Sequence, residues 1–470
     1  MSKAVPIAIV AVLGAAAGLP PVVGMFTQSQ VAARVAALDA HPVLAARVAE
    51  YERGWASSAA RIELAIDESY AAQMVAAAPD APPVDVSDLA APVVVDIAHG
   101  PIAIGRGVHL GWSSFVARLD PEHDEIAALL ARLDVPYLFE FRGRTSFGGT
   151  LDFDADMPPI ALDEPDGELA FSGATLEGSL AGRDLRWELE AQSFRTTEGG
   201  GRFLAERIGG RGELELLSPY MAVGTATFDV AGIQAAGPFG EPLVEVVDLG
   251  VDGGWELDST GELLTGHVLY RVGSLAAADV ELADARVGVR MSNLDVEAVQ
   301  EYQELMIAAN PADLEAALAA RIEPVVERIL ARSPQLAIEP ISFRWGNEPF
   351  DGDVLLEIDA AALPPRGALD LDDPLPLIGA LRARANATMS KVLTQDLAKQ
   401  IVSMQLSMMG GPGGAMPPDQ IDYMAGAQAG LMIVSLLGQG YLVDDGDRYS
   451  TSIELGNRTL TVNGNPLPLP

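Results

Sequence analysis

The chain contains no cysteine. That excludes disulfides, thiolate metal sites and cysteine nucleophiles. It leaves the compartment open, because 470 residues can build a core without bridges. Lysine is nearly missing, with only Lys3, Lys391 and Lys399, so a catalytic lysine has few candidates. Basic residues are scarce as a class: 30 Lys plus Arg stand against 66 Asp plus Glu, a formal net charge of −36. No arginine–lysine run or basic–aromatic patch offsets this. A surface of that sign repels anionic polymers and headgroups, so no nucleic acid is expected as a partner.

Catalytic and ligating motifs are also missing. The sequence has no HExxH, GxSxG, SxxK or Walker loop. "GRGVHLG" (105–111) lacks the lysine and the following helix of a phosphate cradle. The five histidines (His41, His99, His109, His123, His267) are scattered without carboxylates at ligand spacing. The acidic runs at 152–156, 369–373 and 444–447 do not fit the twelve-residue calcium loop. No catalytic residue, metal or cofactor is expected.

Charge of either sign is missing from Ala4 to Phe26, a run of 23 mostly apolar residues. A helix that spans a bilayer needs ~20. We read this run as an uncleaved signal anchor with Lys3 on the cytoplasmic side; the rival is a cleaved signal peptide with a site at Ala15-Ala16-Ala17. Both readings export the rest of the chain. A second uncharged run, Tyr423 to Val443, carries Gly426 and Gly430 at GxxxG spacing. Its Gln428, Ser435 and Gln439 mark it as a buried helix of a soluble domain. The neighbouring methionines, Met404 to Met432, read as helix core.

From 45 to 292 the dominant period is two. Ile62, Leu64 and Ile66 alternate with Arg61, Glu63 and Asp67. Tyr137, Phe139 and Phe141 alternate with Glu140 and Arg142, and Leu185, Trp187 and Leu189 with Arg186, Glu188 and Glu190. Val287, Val289 and Met291 oppose Arg286 and Arg290. Such alternation specifies antiparallel strands with one wet face. Asp166-Gly167 and Asp252-Gly253 read as hairpin turns. Residues 70–92 read as a loop or short helix. At Ser292–Asp295 a capping-box pattern opens a helix to about 309. Asn310-Pro311 opens another, which Pro324 interrupts with a kink or break near 321. Strands follow at 336–345 and 350–360, separated by Asp351-Gly352-Asp353, then a helical pattern at 376–409, a breaker at 410–418, the uncharged helix, and closing strands at 448–455 and 458–462.

The expected fold is α+β: a long antiparallel hairpin meander, C-terminal helices packed on a smaller sheet, and the N-terminal anchor. Its expected segments are 1–27 (signal anchor), 28–292 (β-rich), 293–335 (helical) and 336–470 (α+β).

"YERGWASS" (51–58) looks chemical, but Ser57 and Ser58 have no general base nearby in sequence. Tyr51, Arg53, Gly54 and Trp55 read as a hairpin corner, with Gly54 at a bulge or positive φ and both aromatics packed at strand ends. This stretch, followed by "HGP" (His99, Gly100, Pro101), "RSPQLAIEPISFRW" (332–345), "GYLVDDGDRY" (440–449) and "TLTVNGNPLPL" (459–469), resembles the bacterial YdgA-like family over nearly the whole chain. The resemblance implies an envelope protein of Gram-negative bacteria, anchored once in the inner membrane with its body in the periplasm, and implies no reaction.

The residues themselves leave three functions open. The first is a non-enzymatic protein whose apolar sheet surface, with Phe139, Phe141, Phe153, Phe171, Trp187 and Phe228 as its distinguishing residues, holds a lipid-like ligand or an envelope partner. The others are an exported hydrolase using carboxylates and a purely structural scaffold with a filled sheet interface.

Overall fold

A computed structural model describes residues 28–67, 91–308, 322–365, 375–409 and 417–467, apart from 30, 34, 37, 40–43, 101, 106, 166, 219–220, 278–279 and 457. The anchor run, residues 70–90, Asn310-Pro311, the acidic run 369–373 and residues 410–416 lie outside the described residues. The chain forms two compact units, one of residues 1–228 with 300–322 and the other of 229–299 with 323–470.

The first unit is an antiparallel meander in which strands pair mainly with their chain neighbours. Helical residues between 28 and 39 precede β1 (Leu44–Arg53), β2 (Ser57–Ile66) and β3 (Ala91–His99). A small hairpin, β4 (Ile102–Gly105) and β5 (Gly107–Leu110), stands aside, so β3 pairs with β6 (Ser113–Leu119). Helix α1 (Asp124–Leu133) interrupts the meander, closing on Asp134 at φ 51°. The alternation around it had suggested strands alone, yet "DEIAALLARL" has acids in its first turn and an arginine in its last, as a helix dipole favours. Then come β7 (Glu140–Thr145), β8 (Leu151–Met157), β9 (Ile160–Glu164), β10 (Gly167–Phe171), β11 (Ala174–Ala181), β12 (Asp184–Glu198), β13 (Gly201–Ser218) and the start of β14 (Met221–Ala236). Pro158-Pro159 break one long strand into β8 and β9, and the returning strand breaks opposite them into β10 and β11.

The second unit continues with β15 (Pro242–Leu257), β16 (Leu263–Ala277) and β17 (Val280–Asp295). Asp252-Gly253 lies inside β15 and not in a turn, since Asp252 sits on a strand opposite Leu269 and pairs with Arg271 at 2.8 Å. Strand β17 runs on to Asp295, whose Oδ1 accepts from Ala298 N at 3.0 Å and so caps α2 (Val296–Ala308). The cap is therefore Asp295, three residues beyond Ser292. A helix at residues 322–330 leads to β18 (Gln335–Trp345) and β19 (Glu348–Ile358). Asp351–Asp353 falls within β19, and the connection is Gly346-Asn347.

The expected helix at 376–409 divides into a short helix (Leu375–Ala380), strand β20 (Leu381–Ser390) and helix α3 (Lys391–Met409). Leu381, Ala383 and Ala385 alternate with Arg382, Arg384 and Asn386, which is a strand period. The chain ends in α4 (Pro418–Gly438), β21 (Val443–Asp445), β22 (Arg448–Gly456), β23 (Thr459–Val462) and β24 (Asn465–Leu467). Helices α3 and α4 pack through Ala398, Ala429 and Ile433, with Tyr449 of β22 against them. The uncharged run is thus buried on one side only. Ala425 and Ala429 are dry, while Tyr423, Leu431 and Val434 on the other side are exposed. Among the described residues, Gln420–Gly438 is long and apolar enough to cross a membrane.

Candidate apolar binding face

Side chains two residues apart on a strand share a face, and register then fixes which of them meet across strands. In the first unit one cross-strand row reads Ser58, Ile97, Phe115, Gly143, Phe153, Gly178, Trp187, Gly212. The next row on the same face reads Ala60, Val95, Ala117, Phe141, Ala155, Leu176, Leu189, Gly210. This is an apolar face two rows deep across eight strands.

Its aromatic rings lie flat because glycine stands beside them. A Cβ on Gly143 would meet the Phe115 ring at 2.3 Å, and one on Gly178 the Phe153 ring at 2.4 Å. A Cβ on Gly212 would meet Trp187 Nε1 at 2.4 Å, and one on Gly210 the Phe228 ring at 2.8 Å. Each ring therefore covers a neighbouring backbone with one side and turns the other side away from the sheet. The rings also touch each other: Phe115 and Phe141 at 5.9 Å, Phe141 and Phe153 at 5.7 Å, Trp187 and Phe228 at 5.3 Å between centroids.

The same face changes character along its length. Under the N-terminal helical residues it is dry: Ala60, Val93, Val95 and Ile97 are buried, with Val31 packed on them. From β6 onward no ring in the two rows reaches full burial. Phe115, Phe141, Phe153 and Trp187 are half-buried, and Phe228 is 46% exposed.

The reverse face is polar. Arg142 bonds Glu140 Oε1 and Asp154 Oδ2, each at 2.8 Å, and Glu140 is 1% exposed. Tyr137 donates to Asp156 Oδ2 at 2.6 Å, and that bond raises the phenol above its ordinary value. Arg142, Asp154 and Asp156, with Arg144, Asp152 and Glu177, line a concavity of about 510 Å³. Of its carboxylates, Asp154 is partnered by Arg142 and Asp156 by Tyr137. Among the described residues no His, Asp and Glu cluster could hold a metal ion.

The corner around Tyr51 holds a partner that local sequence did not reveal. Ser58 Oγ lies 2.7 Å from His99 Nε2, and both residues are buried, at 5% and 2% exposure. Burial lowers the imidazole below its ordinary 6.5, so the ring is held neutral. His99 Nδ1 has no partner among the described residues, so no third group orients the ring or stabilises an imidazolium. The pair is shielded from solvent and acts as a clasp between β2 and β3, reinforced by His99 N donating to Ala56 O at 2.8 Å.

Gly54 is a turn residue, but its φ is ordinary. Glycine is needed there because a Cβ would sit 2.9 Å from Ser57 O. Tyr51 packs against the dry cluster, whereas Trp55, expected to pack likewise, is exposed. Arg53 is exposed at the end of β1, and Gly100 has φ 111°. Pro101 lies outside the described residues.

Of the six aromatics singled out from sequence, the fold brings Phe141 and Phe153 into one group and Trp187 and Phe228 into another. Phe139 precedes β7, because the strand begins only at Glu140. Phe171 stands opposite Ile160 and Phe194, away from both groups. Phe115 belongs to the first group and sequence reasoning passed over it; its alternation with Ser114 and Val116 is weak.

A family model for bacterial proteins of unknown function, DUF945, matches residues 1–470, and the chain belongs to that family. No curated protein and no solved structure matches.

Proposed function

We propose that this member of the family is a non-enzymatic, inner-membrane-anchored envelope protein whose first unit holds an apolar, lipid-like ligand on one sheet face. The carrying observation is that this face is dry beneath Val31 and then continues, still apolar, as rings that are only partly buried, with Phe228 46% exposed. Contiguous apolar surface that is left partly uncovered marks binding sites. The flat rings suit an acyl chain, which can lie along two rows without meeting a protruding side chain.

The anchor is residues 4–26, uncharged and long enough to span a bilayer. The YdgA-like resemblance of the motifs agrees with export and a periplasmic body. The buried Ser58–His99 pair does not favour a hydrolase, since neither solvent nor a third group reaches it.

Mass spectrometry of lipids released from the purified full-length protein tests this reading. The parent is expected to retain lipid, and Phe141→Glu and Trp187→Glu are expected to lose it while staying folded. A lipid-free parent whose two glutamate variants unfold would instead support a filled sheet interface.

A further inference from the structure

Several strand ends of the first unit meet at one end of its sheet: the turn after β1, the exit of β3, the entry of β6 and the turn after β7. Backbone bonds tie them together, with His99 N donating to Ala56 O (2.8 Å), Gly100 N to Trp112 O (3.2 Å) and Trp112 N to Thr145 O (2.8 Å). The large side chains here face outward. Trp55, Leu110, Trp112 and Phe147 are between 43% and 64% exposed. Trp112 and Phe147 brace each other edge to face at 5.5 Å, and Trp112 Nε1 donates to Phe147 O at 3.3 Å. These rings are held in place yet left uncovered.

Charge is segregated at the same end. Residues 53–62, 97–119 and 141–151 contain no Asp or Glu, in a chain with 66 acids among 470 residues. At the chain's average density that length would carry about six acids. Arg53 and Arg144 are exposed at these strand ends; the nearest acids are Glu52, directly before Arg53, and Asp152, opposite Arg144 on β8. A molecule of net charge −36 thus has one aromatic end that is poor in acids.

We propose that this end is a bilayer-contacting rim: Trp55, Leu110, Trp112 and Phe147 sit at the headgroup level of the membrane that residues 4–26 enter, with Arg53 and Arg144 facing lipid phosphates. The inference rests on the anchor reading above. Tryptophan belongs at such an interface because its ring is apolar and its N–H is wet. Arginine gains from anionic headgroups, and the scarcity of acids lessens the repulsion that the rest of the molecule would meet. Seated this way, the strands stand away from the membrane. Ile97 and Phe115, next to the rim, then place the start of the apolar face at the bilayer surface.

The test uses the full-length protein in vesicles of phosphatidylethanolamine and phosphatidylglycerol carrying bromine near the headgroup. Two of the five tryptophans lie on the rim, so roughly two-fifths of the emission is expected to be quenched. The Trp55→Ser/Trp112→Ser variant is expected to float with the vesicles and to lose that quenching. Arg53→Glu/Arg144→Glu keeps all five tryptophans and is expected to show about half the parent's quenching at low salt. A parent that floats without being quenched, or is quenched no more than the double serine variant, overturns the rim alone. Rim residues that cross-link between copies while unquenched make a second copy the cover and overturn it as well. A parent that fails to float overturns the anchor and the rim together.

Discussion

Gly212→Ala isolates the ring-over-glycine packing on the apolar face. The new Cβ would lie 2.4 Å from Trp187 Nε1 and 2.8 Å from Cε2. Ordinary contact begins near 3.5 Å, so the indole must lift by about 1 Å. On an unobstructed strand, alanine gains about 0.5–1 kcal/mol over glycine, because glycine has more backbone freedom to lose. Against that, forcing a ring off its rotamer and off its packing surface costs about 1–3 kcal/mol. Net destabilisation of about 1–2 kcal/mol is expected. In a Trp187→Leu background the obstruction is gone, and the same change should be neutral or stabilise by about 0.5 kcal/mol. The coupling energy between the two positions is then about 1.5–3 kcal/mol. Urea unfolding of the parent, both single variants and the double variant measures it directly. Additivity within about 0.5 kcal/mol would refute the packing of the indole over Gly212.

The remaining predictions concern the corner and the polar face. His99 is held below its ordinary 6.5 by burial, so the unfolded chain takes up the proton more readily. The contribution of the neutral ring is complete above about pH 6.5 and is lost as pH falls through the folded value; urea midpoints of the parent should drop more steeply on acidification than those of His99→Gln, and parallel curves would count against a buried neutral ring. Gly54→Val should cost about 1–3 kcal/mol by driving a side chain into Ser57 O. Ser57→Ala, at an exposed site, should stay within about 0.5 kcal/mol, which thermal unfolding can check. Arg142→Met withdraws the guanidinium from Glu140, a carboxylate 1% exposed, and should cost about 3 kcal/mol. Arg118→Met, which breaks an exposed pair with Asp96 at 3.5 Å, should cost less than about 1 kcal/mol; equal losses would contradict the burial argument.

Strands were legible where the period of two was long and uninterrupted. The alternations at 61–66, 185–189 and 286–291 lie in β2, β12 and β17. They failed where a second template fitted the same residues. Leu377 and Leu381 belong to a four-residue stripe, and that spacing concealed the alternation of β20. Asp252-Gly253 has turn chemistry, yet Arg271 on the neighbouring strand gives Asp252 a partner within a ladder. The helix at 124–133 is plain in its own ten residues but stands inside a region dominated by strands. The Ser58–His99 clasp joins residues 41 apart, which no local pattern can express.

The glycines of the apolar face show the same limit and explain what the face can do. Gly143, Gly178 and Gly212 are unremarked in sequence, since each meets its ring only through register, 25 residues or more along the chain. Had those positions carried valine, the usual strand choice, Phe115, Phe153 and Trp187 would stand upright and interdigitate with whatever lay opposite. A sheet built to pack against a second protein layer gains from upright side chains, because interlocking is what fills such an interface. Flat rings give up that interlock and leave a smooth surface that makes no demand on the shape of its cover. Such a surface suits a flexible chain of methylenes, which conforms to it and is stabilised by area alone, at about 25 cal/mol per Å². The glycine–ring alternation therefore favours a fluid apolar occupant over a rigid protein partner. Valine at Gly143 and Gly178 together should weaken lipid retention even though it makes the face more apolar.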